Sequence, residues 1–213
     1  MKTVLAIVAH PDDEVLGIGG TLLKHRDAGN TIHVLILTRE PTDKTWQPKL
    51  AMADQVRKQL HATYHHLNLP EVALNALPCG EVNATVSKIA GNISPDIIYT
   101  HHPYDINQDH QTTAMAAMIA ARPHPGKKTP DLYTFETPSS TEWGLTPFTP
   151  DTYIALGDTT MTEKLSLFSL YTSEVKPHPH PRSLEMIKAW AARRGSEACL
   201  HYAEALKTIR RIR

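Results

Sequence analysis

Several features that would settle the class of this chain at once are scarce or missing. It has two cysteines in 213 residues, Cys79 and Cys199. That is too few for a disulfide framework and suits a reducing compartment, so a cytoplasmic protein is expected. No run of about 18 apolar residues is available to span a membrane. The short apolar stretch behind Lys2 leads into an acidic motif, where a signal peptide would need small residues for cleavage. Charge of one sign is not in excess: Lys plus Arg and Asp plus Glu each number 22. This removes the electrostatic case for nucleic acid or an anionic lipid surface as a partner. There is no internal repeat, no low-complexity tract and no linker, so residues 1–213 read as a single domain. A Gly-x-Gly-x-x-Gly fingerprint is also missing. Gly17-x-Gly19-Gly20 has the wrong spacing, which counts against a dinucleotide-binding protein.

What is present is an alternation of short apolar runs with helical patterns, the mark of βαβ units and a parallel sheet. Strands are predicted at residues 3–9, 31–38, 65–69, 96–100, 132–136 and 153–156. Helices are predicted at 15–28, 48–64, 82–92, 109–121, 161–173 and 182–213, the last ending in a basic segment from Lys207. The fold class is therefore α/β, Rossmann-like, with a mostly parallel sheet and helices on both faces. The composition adds 13 His and 16 Pro, and several His are clustered, which favours metal chemistry.

The most informative segment is His10-Pro11-Asp12-Asp13-Glu14, directly behind the run Val4 to Ala9. A strand there delivers an imidazole and three carboxylates to its carboxyl end, where open α/β sheets place ligands. Three adjacent acids repel one another unless a cation or proton settles them. His10 and Asp13 have the spacing to hold a metal from one turn, leaving Asp12 free to handle protons. A capped strand-to-helix turn would account for one Asp but leaves the other carboxylates and His10 unexplained. The strand at 96–100 runs into a second polar loop ending in Asn107-Gln108-Asp109-His110. If these two strands lie side by side, the loops face each other, and two His with one carboxylate and a water form a known catalytic zinc arrangement. The reading is a metal-dependent hydrolase.

At these residues the chain resembles the PIG-L/LmbE-like family of zinc-dependent N-acetyl-sugar deacetylases. Ala9-His10-Pro11-Asp12-Asp13-Glu14 matches its first motif, and Asn107-Gln108-Asp109-His110 stands for the His-x-Asp-His of its second. Arg194-Gly195 and His201 to Ala205 resemble its tail. The resemblance implies that His10, Asp13 and His110 hold Zn2+, or another first-row divalent metal, and that Asp12 is the general base. It also implies a homo-oligomer acting on a small N-acetylated sugar substrate. Asn107 departs from the family, which has His there. An Asn donates a hydrogen bond to an oxyanion but delivers no proton. The acid role then falls to His180, in the Pro-His-Pro-Arg stretch, or to Asp12 serving twice.

For the sugar, Trp46, Trp143, Arg57 and Glu142 are expected to border the crevice, and Arg182 to meet an anionic group. The expected reaction is zinc-dependent hydrolysis of the N-acetyl amide of an N-acetylglucosamine-type sugar or conjugate. The alternatives are an amidase on a non-sugar conjugate such as a thiol adduct, and a catalytically impaired binding relative.

Overall fold

Period-two burial divides each central strand between two cores, and the sheet they build has seven strands in the computed structural model, which describes residues 1–212. These are β1 (Thr3–Val8), β2 (Thr31–Arg39), β3 (Thr63–Pro70), β4 (Ile97–His101), β5 (Asp131–Phe135), β6 (Thr152–Leu156) and β7 (Tyr202–Arg210). They lie in the order β3-β2-β1-β4-β5-β7-β6. The first five pair in parallel, and β7 runs antiparallel to both β5 and β6. The helices are α1 (Asp13–Asp27), α2 (Asp43–Gln59), α3 (Cys79–Ile93), α4 (Gln108–Ala120), α5 (Asp158–Ser169) and α6 (Leu184–Ser196). The expected single-domain Rossmann-like architecture is the one observed. Among the described residues no helix is long and apolar enough to cross a membrane.

Val4, Ala6 and Val8 of β1 pack with residues of α1, α2, α5 and α6, while Leu5 and Ile7 pack with α3 and α4. Every residue of β1 from Val4 onward is fully buried, as expected for a strand covered on both faces. β1 lies between β2 and β4, in register Val4 with Ile97 and Ile7 with Thr100. The chain winds outward in both directions from this pair, so their carboxyl ends open the crevice at the switch point.

The C-terminal third departs from the sequence reading. The helix expected over 182–213 ends at Ser196, and Tyr202–Arg210 is a strand. Arg213 lies outside the described residues. Ala203-Glu204-Ala205-Leu206 are strong helix formers, but the gap between β5 and β6 offers them a full ladder on both edges. Glu204 then serves α1. That helix is kinked at Ile18, leaving the N–H groups of Gly20 and Thr21 to Glu204, at 2.8 and 2.6 Å. Lys164 Nζ donates to the Leu16 carbonyl at 3.0 Å and pairs with Glu204 at 2.6 Å. Gly17 has a packing role: a Cβ there would stand 2.2 Å from the ring of Phe135. Pro48, read as a helix start, sits inside α2, which begins at Asp43.

Candidate functional site

β1 stops at Val8, and Thr38 of β2 clasps the Ala9 carbonyl with its N–H and hydroxyl, at 3.0 and 2.8 Å. From this anchored end the chain turns through His10-Pro11-Asp12 into α1. Asp12 has φ 122°, a conformation costly for a non-glycine residue, of order 1–3 kcal/mol. Two side chains hold the turn. Asp13 Oδ2 accepts the His10 N–H at 2.8 Å, and Glu14 Oε2 accepts the Asp12 N–H at 3.0 Å. The buried Glu14 is itself fixed by the hydroxyls of Tyr64 and Tyr171, at 3.0 and 2.6 Å.

Asp13 is fully buried, with one oxygen 3.2 Å from His10 Nδ1 and the other 3.4 Å from His110 Nε2. His110 comes from the first turn of α4, delivered by the loop after β4. Donor atoms of His10, Asp13 and His110 all lie within 4.8 Å of one another. Asp13 Oδ1 and His110 Nε2 are buried without a hydrogen-bond partner among the described residues. Leaving two such atoms unmatched is costly. Their 3.4 Å separation is close to the spacing, about 3.4 Å, of neighbouring donors around a tetrahedral divalent ion. The donor set, two imidazoles and a carboxylate, fits a borderline metal such as zinc.

The far nitrogen of each ligand-candidate His meets a carboxylate. His10 Nε2 lies 3.1 Å from Asp109 Oδ2, and His110 Nδ1 lies 3.3 Å from Asp105 Oδ2. Asp109 is held by the N–H groups of Val72 and Leu74, at 2.7 and 3.1 Å. Asp105 is held by the hydroxyls of Ser140 and Thr141, at 3.0 and 2.5 Å. Such carboxylate–His pairs set the tautomer and aim of metal-binding imidazoles. Burial works against a charge on His10 and His110. The carboxylates around them prevail, raising His10 to about 10 and His110 to about 9. Burial also opposes ionisation of Asp13, yet His110 and His101 hold its carboxyl well below the usual range. The pocket thus draws positive charge to where the partnerless atoms meet.

His101 is structural: its Nε2 accepts the Ala9 N–H at 3.0 Å and its ring stacks on His110 at 3.9 Å. Burial pulls its pKa down to about 4. Asp12 stands outside the donor set. Burial, then the Asp13 charge, push its carboxyl up to about 8 against the pull of Arg182 and Lys49. Arg182 Nη1 donates to Asp12 at 3.1 Å and to Glu174 at 2.8 Å, while its Nε donates to Ser139 at 2.7 Å.

Of the remaining expected residues, Asn107 is the N-cap of α4. Its Oδ1 accepts the N–H of Asp109 at 2.9 Å, which leaves Nδ2 free as a donor. His180 is exposed, two residues from Arg182, with its Nδ1 accepting the Arg182 N–H at 3.0 Å. Trp143 is 71% exposed on the turn that also carries Ser140 and Thr141. Glu142 accepts the Ser139 N–H at 2.8 Å on the same turn. Arg57 is not part of this cluster. It lies in the last turn of α2, bonded to Asp54 at 2.7 Å, because α2 runs back from the carboxyl ends of the strands to their amino ends. The cation α2 brings toward Asp12 is the buried Lys49, paired with Glu174 at 2.7 Å. Trp46 is also no rim residue: it is buried and packs edge-on against His66. Asp105 and Lys49 escaped the sequence reading, and the polar stretch 138–143, read as a sugar-contact loop, also holds Asp105 through Ser140 and Thr141. The one signal for Asp105 was its place in the polar loop after β4.

Known proteins share this sequence pattern and fold. A curated relative, "Uncharacterized deacetylase YaiS" of Escherichia coli (strain K12), is 28% identical over 183 residues, 81% of this chain and 91% of its own length. The fold is shared with the N,N'-diacetylchitobiose deacetylase of Pyrococcus horikoshii, with TM-score 0.80, 20% identity and coverage of 98% of this chain and 84% of that one. It is shared equally with GalB, the 4-carboxy-2-hydroxymuconate hydratase of Pseudomonas putida KT2440, with TM-score 0.79, 21% identity and coverage of 100% and 98%. Residues 5–121, which include both loops of the cleft, match the model of the family described as PIG-L: GlcNAc-PI de-N-acetylase, and the chain belongs to that family.

Proposed function

We propose that the protein is a metal-dependent N-deacetylase that hydrolyses the acetamide of an N-acetylglucosamine-type sugar or conjugate. The observation that carries this is the pair of buried, partnerless atoms Asp13 Oδ1 and His110 Nε2 beside a carboxylate, Asp12, that stands outside the donor set. His10, Asp13 and His110 are the residues that would hold a divalent metal, zinc being the best match to the donors. Such a metal supplies polarisation of the amide carbonyl and acidifies a water toward neutral pH.

The chain's own residues do the rest. Asp12 takes the proton of the attacking water, at a carboxylate that Arg182 holds from one side. Asn107 keeps its Oδ1 on the helix cap and offers Nδ2 to the oxyanion. It has no proton to give, so the departing amine takes one from Asp12 or from His180. Trp143 offers an exposed aromatic face of the kind that sugar rings stack on. A small soluble substrate in a cytoplasmic homo-oligomer completes the reading.

The test is acetate release from a panel of N-acetylglucosamine conjugates by metal-loaded protein, with Asp12→Asn alongside. Release by the wild type, and a loss of at least about 100-fold in a variant that still binds metal, is expected. A metal-loaded wild type that releases nothing from any conjugate would favour a second reading. Asn107, committed to its cap, then marks a relative that binds without turning over.

A further inference from the structure

The opposite pole of the sheet carries a second recess. Between the carboxyl ends of α3 and α4 and the loop leading into β5 lies a cavity of about 540 Å³. That is within the range, about 300–1,000 Å³, of small-molecule sites. Its position is fixed by Pro95 and Pro130, which precede β4 and β5, so it opens at the amino ends of the strands. The candidate metal centre sits at their carboxyl ends.

The lining has two chemistries. Ala90, Ile98, Ile119 and Ala120 give it an apolar floor, while Lys88, Arg122, Lys127 and Lys128 surround it with positive charge. Lys128 is already engaged, with Asp96 at 2.6 Å. Lys88, Arg122 and Lys127 have no ion pair or side-chain hydrogen bond among the described residues. The helix ends offset part of this charge. α3 and α4 both terminate here, and each carboxyl end carries roughly half a negative charge. Together they balance about one of the three free cations and leave a surplus of about two. The chain as a whole has no net charge, so the surplus belongs to this cavity.

We propose that this cavity binds a small dianion carried on a compact body with one apolar face, the chemistry of a nucleoside monophosphate. The phosphate would sit among Lys88, Arg122 and Lys127, and the body would lie on the floor of Ala90, Ile98 and Ile119. The volume of the recess, about 540 Å³, suits a small molecule rather than an extended polyanion.

The experiment is calorimetric titration of the metal-loaded full chain with AMP, adenosine and inorganic phosphate, each at two salt concentrations. A variant combining Lys88→Ala, Arg122→Ala and Lys127→Ala is titrated in parallel. These three side chains are exposed, so the variant is expected to fold, and its thermal transition checks that. AMP should bind with a dissociation constant below about 1 mM. Adenosine and phosphate should each bind at least about tenfold more weakly, and the variant should lose at least about tenfold for AMP. Added salt should weaken AMP binding. Failure of AMP to bind would overturn the proposal. So would unchanged affinity in the variant, which would put the nucleotide elsewhere, including on the metal. Phosphate binding as tightly as AMP would also overturn it, because the floor would then play no part. None of these outcomes depends on turnover of an N-acetyl substrate.

Discussion

Each histidine at the candidate metal centre leans on a carboxylate, His10 on Asp109 and His110 on Asp105. An imidazole presents one nitrogen to a metal only if the other is held, and an ionised carboxylate can hold only an N–H. Asp105 is the more informative of the two to change, since it is not adjacent to a ligand in the chain and is pinned from the other side by Ser140 and Thr141. Asp105→Asn keeps the shape and removes the charge. Metal affinity is expected to fall about 10- to 100-fold, read by competition with a chromophoric chelator. An unchanged affinity would make Asp105 a loop-ordering residue only. At this scale the sequence was legible where the chemistry is contiguous: His10, Asp12 and Asp13 are one turn, and His110 follows the polar loop after β4 in the first turn of α4. It was illegible where a role exists only through space. Lys49 meets the Asp12–Glu174 network because of where α2 lies. Arg57, two turns further along the same helix, is carried to the other end of the sheet.

Among the elements, α1 and β7 depend on each other. The break at Ile18 opens the hydrogen-bond ladder of α1, and Lys164 with Glu204 closes it again, the ammonium on the freed carbonyl and the carboxylate on the freed N–H groups. The kink brings Gly17 against Phe135 and so sets the angle at which α1 leaves the metal loop. Glu204→Ala removes three acceptor contacts and leaves the Lys164 charge buried without its partner. A destabilisation of about 3–5 kcal/mol is expected, read from the urea midpoint. A loss under about 1 kcal/mol would mean that the ion pair is replaceable by water. The same residue explains why the C-terminal strand was misread. Ala-Glu-Ala-Leu-Lys has helical propensity and a central charge, and nothing local says that the charge will be buried. Long-range pairing with β5 and β6 decides the matter. The central parallel strands β1, β2 and β4, by contrast, were legible because burial on both faces leaves continuous apolar runs.

Across the whole molecule, the pole away from the metal centre has its own pH-sensitive joint. His25, near the end of α1, links the residues that precede β1 and β2 to β4 through a directed chain of hydrogen bonds. The Lys2 N–H donates to Asn30 Oδ1 at 2.8 Å, which turns the Asn30 amide nitrogen toward His25 Nδ1 at 2.9 Å. His25 Nδ1 must therefore accept, and its Nε2–H donates to Tyr99 Oη at 3.0 Å. Protonation of Nδ1 would set two donors face to face. Burial, and after it the Lys2 charge, lower the His25 pKa to about 4. The unfolded chain has an ordinary His with a pKa of about 6.5 and binds the proton first as pH falls. The stabilisation is then fully present above about pH 6.5 and is lost between there and about pH 4. At about 1.4 kcal/mol per pH unit the gap bounds the effect near 3 kcal/mol, and solvent at this partly exposed ring reduces it to about 2 kcal/mol. His25→Gln keeps a polar group of similar reach and removes the titration. Between pH 7 and pH 4.5 the wild type should lose more stability than this variant, by about 1–2 kcal/mol in urea midpoints. Parallel losses in the two proteins would mean that His25 is already free to take its proton in the folded state, and that the joint at this pole does not depend on its neutrality.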